Sequence, residues 1–247
     1  MIKLKDIAIL KYKSELNVLP QGKLLINTIN AYSYNTARND AFFAEALLKG
    51  DVLIPDGASI VKAIKWLRGE QIERIAGWDL FVHEMEKLNA TSSVSITAKK
   101  VFFLGSSEAV LTKIKNRASK EYPNLEIHTF SPPYKPKFTD DDSKIMIEAV
   151  NRVQPNLLWI GMTAPKQEKW VYAHLDMLDA KGTIGTIGAV FDFYAGTVER
   201  APLWWQAHSL EWLFRLIKEP RRMWKRYIIG NTKFLYYVAM ELFQKRV

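Results

Sequence analysis

The chain has 247 residues, 48% apolar and 25% charged, so it can bury a substantial core and is not disordered by composition. It contains no cysteine, which excludes disulfides, thiolate metal sites and a cysteine nucleophile. A formal charge of +9 calls for an anionic partner: nucleic acid, a phosphorylated ligand or anionic lipid.

In chain order, "MIKLKDIAILKYK" breaks its apolar residues with charges, and no secretory leader is expected there. "KLLINTI" (23–29) and "DVLI" (51–54) read as strands, with helical spacing over 36–49, 58–68 and 78–88. "KVFFLG" (100–105), "LEIHTF" (125–130), "NLLWIG" (156–161) and "TIGTIG" (183–188) are further strands, alternating with helical patterns over 107–121, 140–153 and 165–180. The proline-rich "SPPYKPKF" (131–138) reads as an ordered loop. Such alternation predicts an α/β fold with a mainly parallel sheet, whose ligands bind at the carboxyl ends of the strands.

Near 195–200 the composition turns to basic, aromatic helix. Residues 199–247 hold six Arg and four Lys against four Glu, a net of +6, and four of the eight Trp. The expected division is a catalytic core over 1–196 and a helical, membrane-associating appendage over 197–247. Pro220 predicts one helix ending near Glu219 and another starting at Pro220. Arg215, Lys218, Arg222, Lys225 and Arg226 would form one basic stripe if the helices ran on continuously. Trp204, Trp205, Trp212 and Trp224 suit a bilayer interface, although Trp204 and Trp205 also fit packing against the core. The longest apolar stretch, 227–243, contains Lys233 and Glu241, so no transmembrane helix is expected.

Candidate site residues cluster at the predicted strand ends. In "VLIPDGASIVKAIKWL" (52–67), Asp56 stands between strand and helix, either as a helix N-cap or as a general base for a hydroxyl proton. The dipole of the following helix is expected to hold its pKa low. Thr28 and Asn30 could bind sugar or ribose hydroxyls, or simply make the turn. Arg74 in "ERIAGWDLF" could clamp phosphate, with Asp79 as a cap. In "WIGMTAPKQEKWV" (159–171), Lys166, Gln167 and Glu168 at a helix amino end make a cradle for an anion or a polyhydroxyl ligand. Gly185, Gly188 and Gly196 permit close approach of a ligand, but their spacing is not the dinucleotide fingerprint G-x-G-x-x-G. The chain has no P-loop and no H-E-x-x-H, and its four histidines are scattered. Chemistry without a bound metal is expected, with anions met by Arg, Lys and helix termini.

Taken together, "PDG" (55–57), "ERIAGWDLF" (73–81), "VFFLG" (101–105), "YPNLEI" (122–127), "APKQEKWV" (164–171) and "VERAPLWWQAHSLEWLFRLIKEPRRMWKRY" (198–227) resemble the WecG/TagA/CpsF family of bacterial glycosyltransferases. The resemblance implies a Rossmann-like α/β core with an appendage that completes the active site. It implies inverting transfer from a UDP-sugar, of ManNAc, ManNAcA or glucose type, to a sugar on a polyprenyl diphosphate. The setting implied is peripheral, at the cytoplasmic face of the membrane, with an anionic lipid surface as partner, no further cofactor and no nucleic acid. Oligomeric state is left open. Asp56 matches the family's proposed base, Thr28 its threonine near the sugar, Arg74 its loop arginine and Gln167 its "PKQE" glutamine. Arg215, Arg222 and Arg226 match arginines thought to meet diphosphate. Ala31-Tyr32 and "SPPYKPKF" depart from the pattern of relatives, which leaves the sugars open. The rivals are a nucleic-acid binder, against which the sequence shows no helix-turn-helix or RNP motif, a Rossmann-like epimerase or oxidoreductase, and a non-catalytic basic membrane-surface protein.

Overall fold

The structure, a computed structural model, describes residues 2–90 and 98–244, without the side chain of Arg222. Six strands form one sheet: β1 (Leu24–Ile29), β2 (Val52–Pro55), β3 (Lys99–Gly105), β4 (Leu125–Phe130), β5 (Leu157–Gly161) and β6 (Thr183–Thr186). Their order is β2-β1-β6-β5-β3-β4 and every pairing is parallel. All six predicted strands are present, in the Rossmann-like layout expected.

The strands read as unbroken apolar runs because helices cover both faces of the sheet. Alternate residues go to opposite layers. Val101, Phe103, Leu157 and Trp159 enter one core cluster with Phe81 and Phe191, while Phe102, Leu104, Leu158 and Ile160 enter another with Met146 and Trp170.

On these faces lie α1 (Ala31–Ala37), α2 (Ala41–Leu48), α3 (Ala58–Arg68), α4 (Gly77–Ala90), α5 (Glu108–Glu121), α6 (Asp140–Val153), α7 (Lys166–His174) and the short α8 (Val190–Tyr194). Two helical expectations change. The pattern over 36–49 is two helices, because Asp40 starts a new one by accepting the Phe43 N–H (3.0 Å). The pattern over 165–180 ends at His174 and passes into a 3₁₀ turn, Leu175–Met177.

The C-terminal segment comprises α9 (Leu203–Ala207), α10 (Glu211–Lys218), α11 (Pro220–Trp224), a π-helical turn (Lys225–Ile229) and α12 (Gly230–Gln244). The break predicted at Pro220 is present: Glu219 leaves helical geometry (φ −130°, ψ 59°) and Pro220 opens α11. The stripe from Arg215 to Arg226 is therefore not one continuous helical face.

α12 does not stand apart from the core. Phe234 and Val238 join Ile29, Leu53, Ile60 and Ile64 in a third buried cluster. The buried Glu241 carboxylate accepts the Leu4 N–H (3.0 Å) and the Lys5 N–H (3.1 Å), and the hydroxyl of Tyr34. Arg38 lies 3.6 Å from the same carboxylate. A cut at residue 196 would strip this acceptor from two backbone donors and open the third cluster.

Candidate active site

Parallel pairing brings the carboxyl ends of β1 and β2 together, with Thr28 opposite Ile54 and Ile29 opposite Pro55. The Asp56 N–H donates to the Ile29 carbonyl (3.0 Å), which ties the β2–α3 turn to the end of β1. Asp56 is not the helix cap. That position is Gly57, which has no side chain to cap with, so the bland reading of the aspartate fails. The Gly77 N–H and the Asn30 side chain stand near its carboxyl and act to lower its pKa.

The expected lowering of its pKa by a helix dipole is overturned. Burial pushes the Asp56 carboxyl above the usual carboxylate range, and Arg74, Gly77 N–H and Asn30 pull it back only in part. The negative charge of Glu211 adds to the rise. Burial is the largest cause, because it takes the charged form out of water.

Asn30 combines both readings made of it. Its Oδ1 accepts the N–H groups of Tyr32 (3.0 Å) and Ser33 (3.1 Å), capping α1, and its side chain lies close enough to Asp56 to lower that carboxyl's pKa. Thr28 is half-buried in β1 below it.

A cavity of about 1150 Å³ opens over these strand ends, and Thr28, Asn30, Asp56, Arg74, Lys166, Gln167, Gly188, Arg215 and Arg226 all line it. That exceeds the roughly 300–1,000 Å³ usual for one small ligand, so two substrates can share it. Arg222 belongs to α11, but its side chain lies outside the described residues.

The C-terminal segment forms one wall of this cavity. Arg74 is held by Glu211 at the start of α10 (3.2 Å), and Arg200, stacked 4.9 Å from the Trp78 ring centroid, approaches the same carboxylate at 3.5 Å. Arg74 is thus a strut between core and tail rather than an unpaired clamp. Arg215 and Arg226 differ. Neither has a carboxylate partner among the described residues, and Arg215 Nε is buried without a hydrogen-bond acceptor. Arg226 lies over the Tyr32 ring (4.5 Å), Arg215 over Phe193 (5.5 Å). Burial lowers the Arg226 pKa, Arg215 adds to that, and the charge of Asp56 opposes it. The two cations are close enough to feel each other and the carboxylate, and an anion between them would relieve both.

The "PKQE" turn at the amino end of α7 is less open than its sequence suggests. Gln167 is buried, its Oε1 accepting the Met162 N–H (3.2 Å) and its Nε2 donating to Glu168 Oε1 (2.8 Å). Its amide shapes the cavity floor. Lys166 Nζ donates to the Lys135 carbonyl (2.9 Å) and lies 4.2 Å from the Phe138 ring centroid, pinning the 131–138 loop, and burial lowers its pKa. Glu168 is buried, its Oε2 without a partner, and burial pushes its carboxyl up to about 7.

The glycines also separate. Gly188 (φ +48°) needs its left-handed backbone and lines the cavity, whereas a Cβ at Gly185 would stand 2.4 Å from the Trp159 ring, so that glycine serves packing. Asp79 is a cap, as expected, accepting the Ala76 N–H (2.8 Å). Among the described residues no three His, Asp or Glu side chains gather as a metal site requires.

Sequence reading missed Glu211, Arg200 and Trp78 as parts of this site. Glu211 and Arg200 lie within the quoted "VERAP…LEW" stretch, and an acidic residue in so basic a segment was the available signal.

Comparison with known proteins bears on what such a cavity does. A relative from Bacillus subtilis (strain 168) is 29% identical over 202 residues, 82% of this chain and 74% of its own. One from Staphylococcus aureus (strain MW2) is 26% identical over 222 residues, covering 88% of this chain and 80% of its own. Both are named N-acetylglucosaminyldiphosphoundecaprenol N-acetyl-beta-D-mannosaminyltransferase. The model of the glycosyl transferase WecG/TagA/CpsF family matches residues 7–247. The match runs from the N-terminal turns through α12 and so takes in both walls of the cavity: the chain belongs to the WecG/TagA/CpsF family and is a glycosyltransferase.

Proposed function

We propose that the chain moves a sugar from a UDP-sugar, of N-acetylmannosamine type, onto a hydroxyl of a sugar carried by polyprenyl diphosphate. The carriers and sugars follow the names of the relatives. The observation that carries the proposal is the pair Arg215 and Arg226, cations without carboxylate partners among the described residues, which line the same cavity as Asp56.

In this scheme the Asp56 carboxylate takes the proton of the acceptor hydroxyl as that oxygen attacks the anomeric carbon. The bond from that carbon to the UDP oxygen breaks, UDP leaves with the electron pair, and the configuration inverts. Arg215, Arg226 and backbone N–H groups at the start of α7 stabilise the growing charge on the diphosphate without a metal. Such donors act most strongly where water is excluded. Asn30 and Gly77 hold the base in place, and Asp56's raised pKa makes it a better proton acceptor once ionised.

The outer surface of the tail supports a membrane-bound setting. Leu203, Trp204, Ile217, Trp224, Ile228 and Ile229 are exposed among Lys218, Lys225 and Arg221. Apolar rings and basic residues together suit reversible binding to anionic lipid. Among the described residues no helix is long and apolar enough to cross a membrane.

The test is transfer itself: UDP-N-acetylmannosamine and N-acetylglucosaminyl diphosphoundecaprenol, with release of UDP and a heavier lipid product read together. The wild type should give both and Asp56→Asn neither at comparable rate. Transfer undiminished in Asp56→Asn would remove the proposed base.

A further inference from the structure

The cavity extends past Asp56 along a wall that the scheme above leaves unassigned. α3 starts beside Asp56 and leads away from it. Ser59, Lys62 and Trp66 follow at three- and four-residue intervals, so they share one helix face, and all three line the cavity. At 1.5 Å per residue, Lys62 lies about 8 Å and Trp66 about 14 Å along the axis from Gly57. On α12, Asn231 and Leu235, one turn apart, line the same cavity. Phe234 between them is buried with Ile60 and Ile64, which locks the two helices side by side.

The chemistry changes with distance from the carboxylate. First comes a hydroxyl, then an ammonium, then an indole. Trp66 and Leu235 are each 52% exposed, unusual for large apolar side chains at the mouth of a cavity. Lys62 is exposed and has no carboxylate partner among the described residues.

We propose that this α3–α12 groove holds the carrier portion of the acceptor, a polyprenyl diphosphate, with the diphosphate at Lys62 and the first isoprene units against Trp66 and Leu235. The assignment rests on the functional reading above and adds a location to it. An acceptor whose hydroxyl meets Asp56 presents its sugar, diphosphate and hydrocarbon in the order in which α3 offers polar, cationic and aromatic side chains. A base or a sugar ring can stack on an indole but leaves Leu235 uncovered, whereas a hydrocarbon chain covers Trp66 and Leu235 together. Arg215 and Arg226 are left to the donor diphosphate, so each diphosphate has its own cations.

Two measurements test it. The first is equilibrium binding of radiolabelled undecaprenyl diphosphate in detergent micelles, which needs neither donor nor sugar. Trp66→Ala should weaken it about tenfold, as loss of one large apolar contact does. With UDP added at saturation to fill the Arg215–Arg226 site, inorganic pyrophosphate should bind wild type and Trp66→Ala alike, and Lys62→Ala should weaken both ligands, with recovery in Lys62→Arg. The second is transfer to two acceptors that share the sugar diphosphate but carry either undecaprenyl or a short alkyl chain. Trp66→Ala should raise KM for the long acceptor about tenfold and leave the short one and kcat unchanged. Both substituted side chains are exposed, so the fold should survive, which thermal unfolding checks. Equal effects on both acceptors, or none on either, would overturn the groove while leaving the transfer reaction standing. Binding that depends on Trp66 without transfer in the wild type would keep the groove and sink the functional reading instead.

Discussion

The two walls of the cavity are built on opposite electrostatic terms. On the core wall the Gly77 N–H and the Asn30 side chain stand close enough to Asp56 to lower its pKa, and Asn30 is itself fixed by capping α1. On the tail wall, Glu211 binds Arg74 and Arg200, but among the described residues no carboxylate pairs with Arg215 or Arg226. A preorganised carboxylate suits the proton, which moves over a short distance to a fixed place. Unanswered guanidiniums suit an anion that must arrive and depart. The difference is a division of labour between base and leaving-group site.

The largest effect should come from the core wall. Asp56→Asn is expected to lower kcat on the order of 10²-fold or more, the worth of a general base, with little change in UDP binding by calorimetry. A parallel loss of UDP affinity would blur the contrast between the walls. Arg215→Ala or Arg226→Ala should behave the other way, weakening UDP binding roughly ten- to hundredfold, as loss of a charge-assisted hydrogen bond does.

The anchor of the tail wall is open to the same kind of test. Glu241→Ala leaves the Leu4 and Lys5 N–H groups without their acceptor and should cost about 2–4 kcal/mol in denaturant unfolding. A cost near zero would mean that α12 is held by Phe234 and Val238 alone.

Smaller effects follow from ionisation. Asp56 must be charged to act, and burial raises its pKa, so the acid limb of kcat/KM should lie above the ordinary aspartate value of 3.8. Glu211→Gln should move that limb to lower pH and Arg74→Gln to higher pH, which a pH profile would separate. Glu168 affects stability instead. Its carboxyl rises from 4.5 to about 7 in the folded chain, so the stability it contributes is whole below 4.5 and lost as pH climbs through about 7. Glu168→Gln should flatten the fall of Tm over that window. The weakest effect expected is on the surface: binding to anionic liposomes should decline as salt rises, because it depends on screened lysines and arginines.

Much of the fold was legible because it rests on local pattern. All six strands and most helices could be placed from apolar periodicity, and the break at Pro220 from the chemistry of proline. The errors were of one type. Both are helix ends inside a continuing helical pattern: the Asp40 carboxylate caps a new helix, and α7 passes into a 3₁₀ turn after His174. Within the site, Asp56 was found because a strand–turn–helix junction exposes a residue wherever it occurs. Gln167 and Lys166 were taken as open ligand groups, and only the structure shows their polar atoms engaged with Met162, Glu168 and Lys135.

Sequence alone determined the class of architecture, the basic character of the tail, and a carboxylate at a strand end, since each depends on residues near one another in the chain. It also carried the motifs that the family match later bore out. Tertiary structure decided which charges stand unpaired, because pairing joins residues as far apart as Arg74 and Glu211. It decided the direction of the Asp56 pKa, which burial raises and to which the distant Arg74 and Glu211 contribute with opposite signs. It also decided that α12 belongs to the core, through contacts between the last helix and the first few residues that no local pattern records.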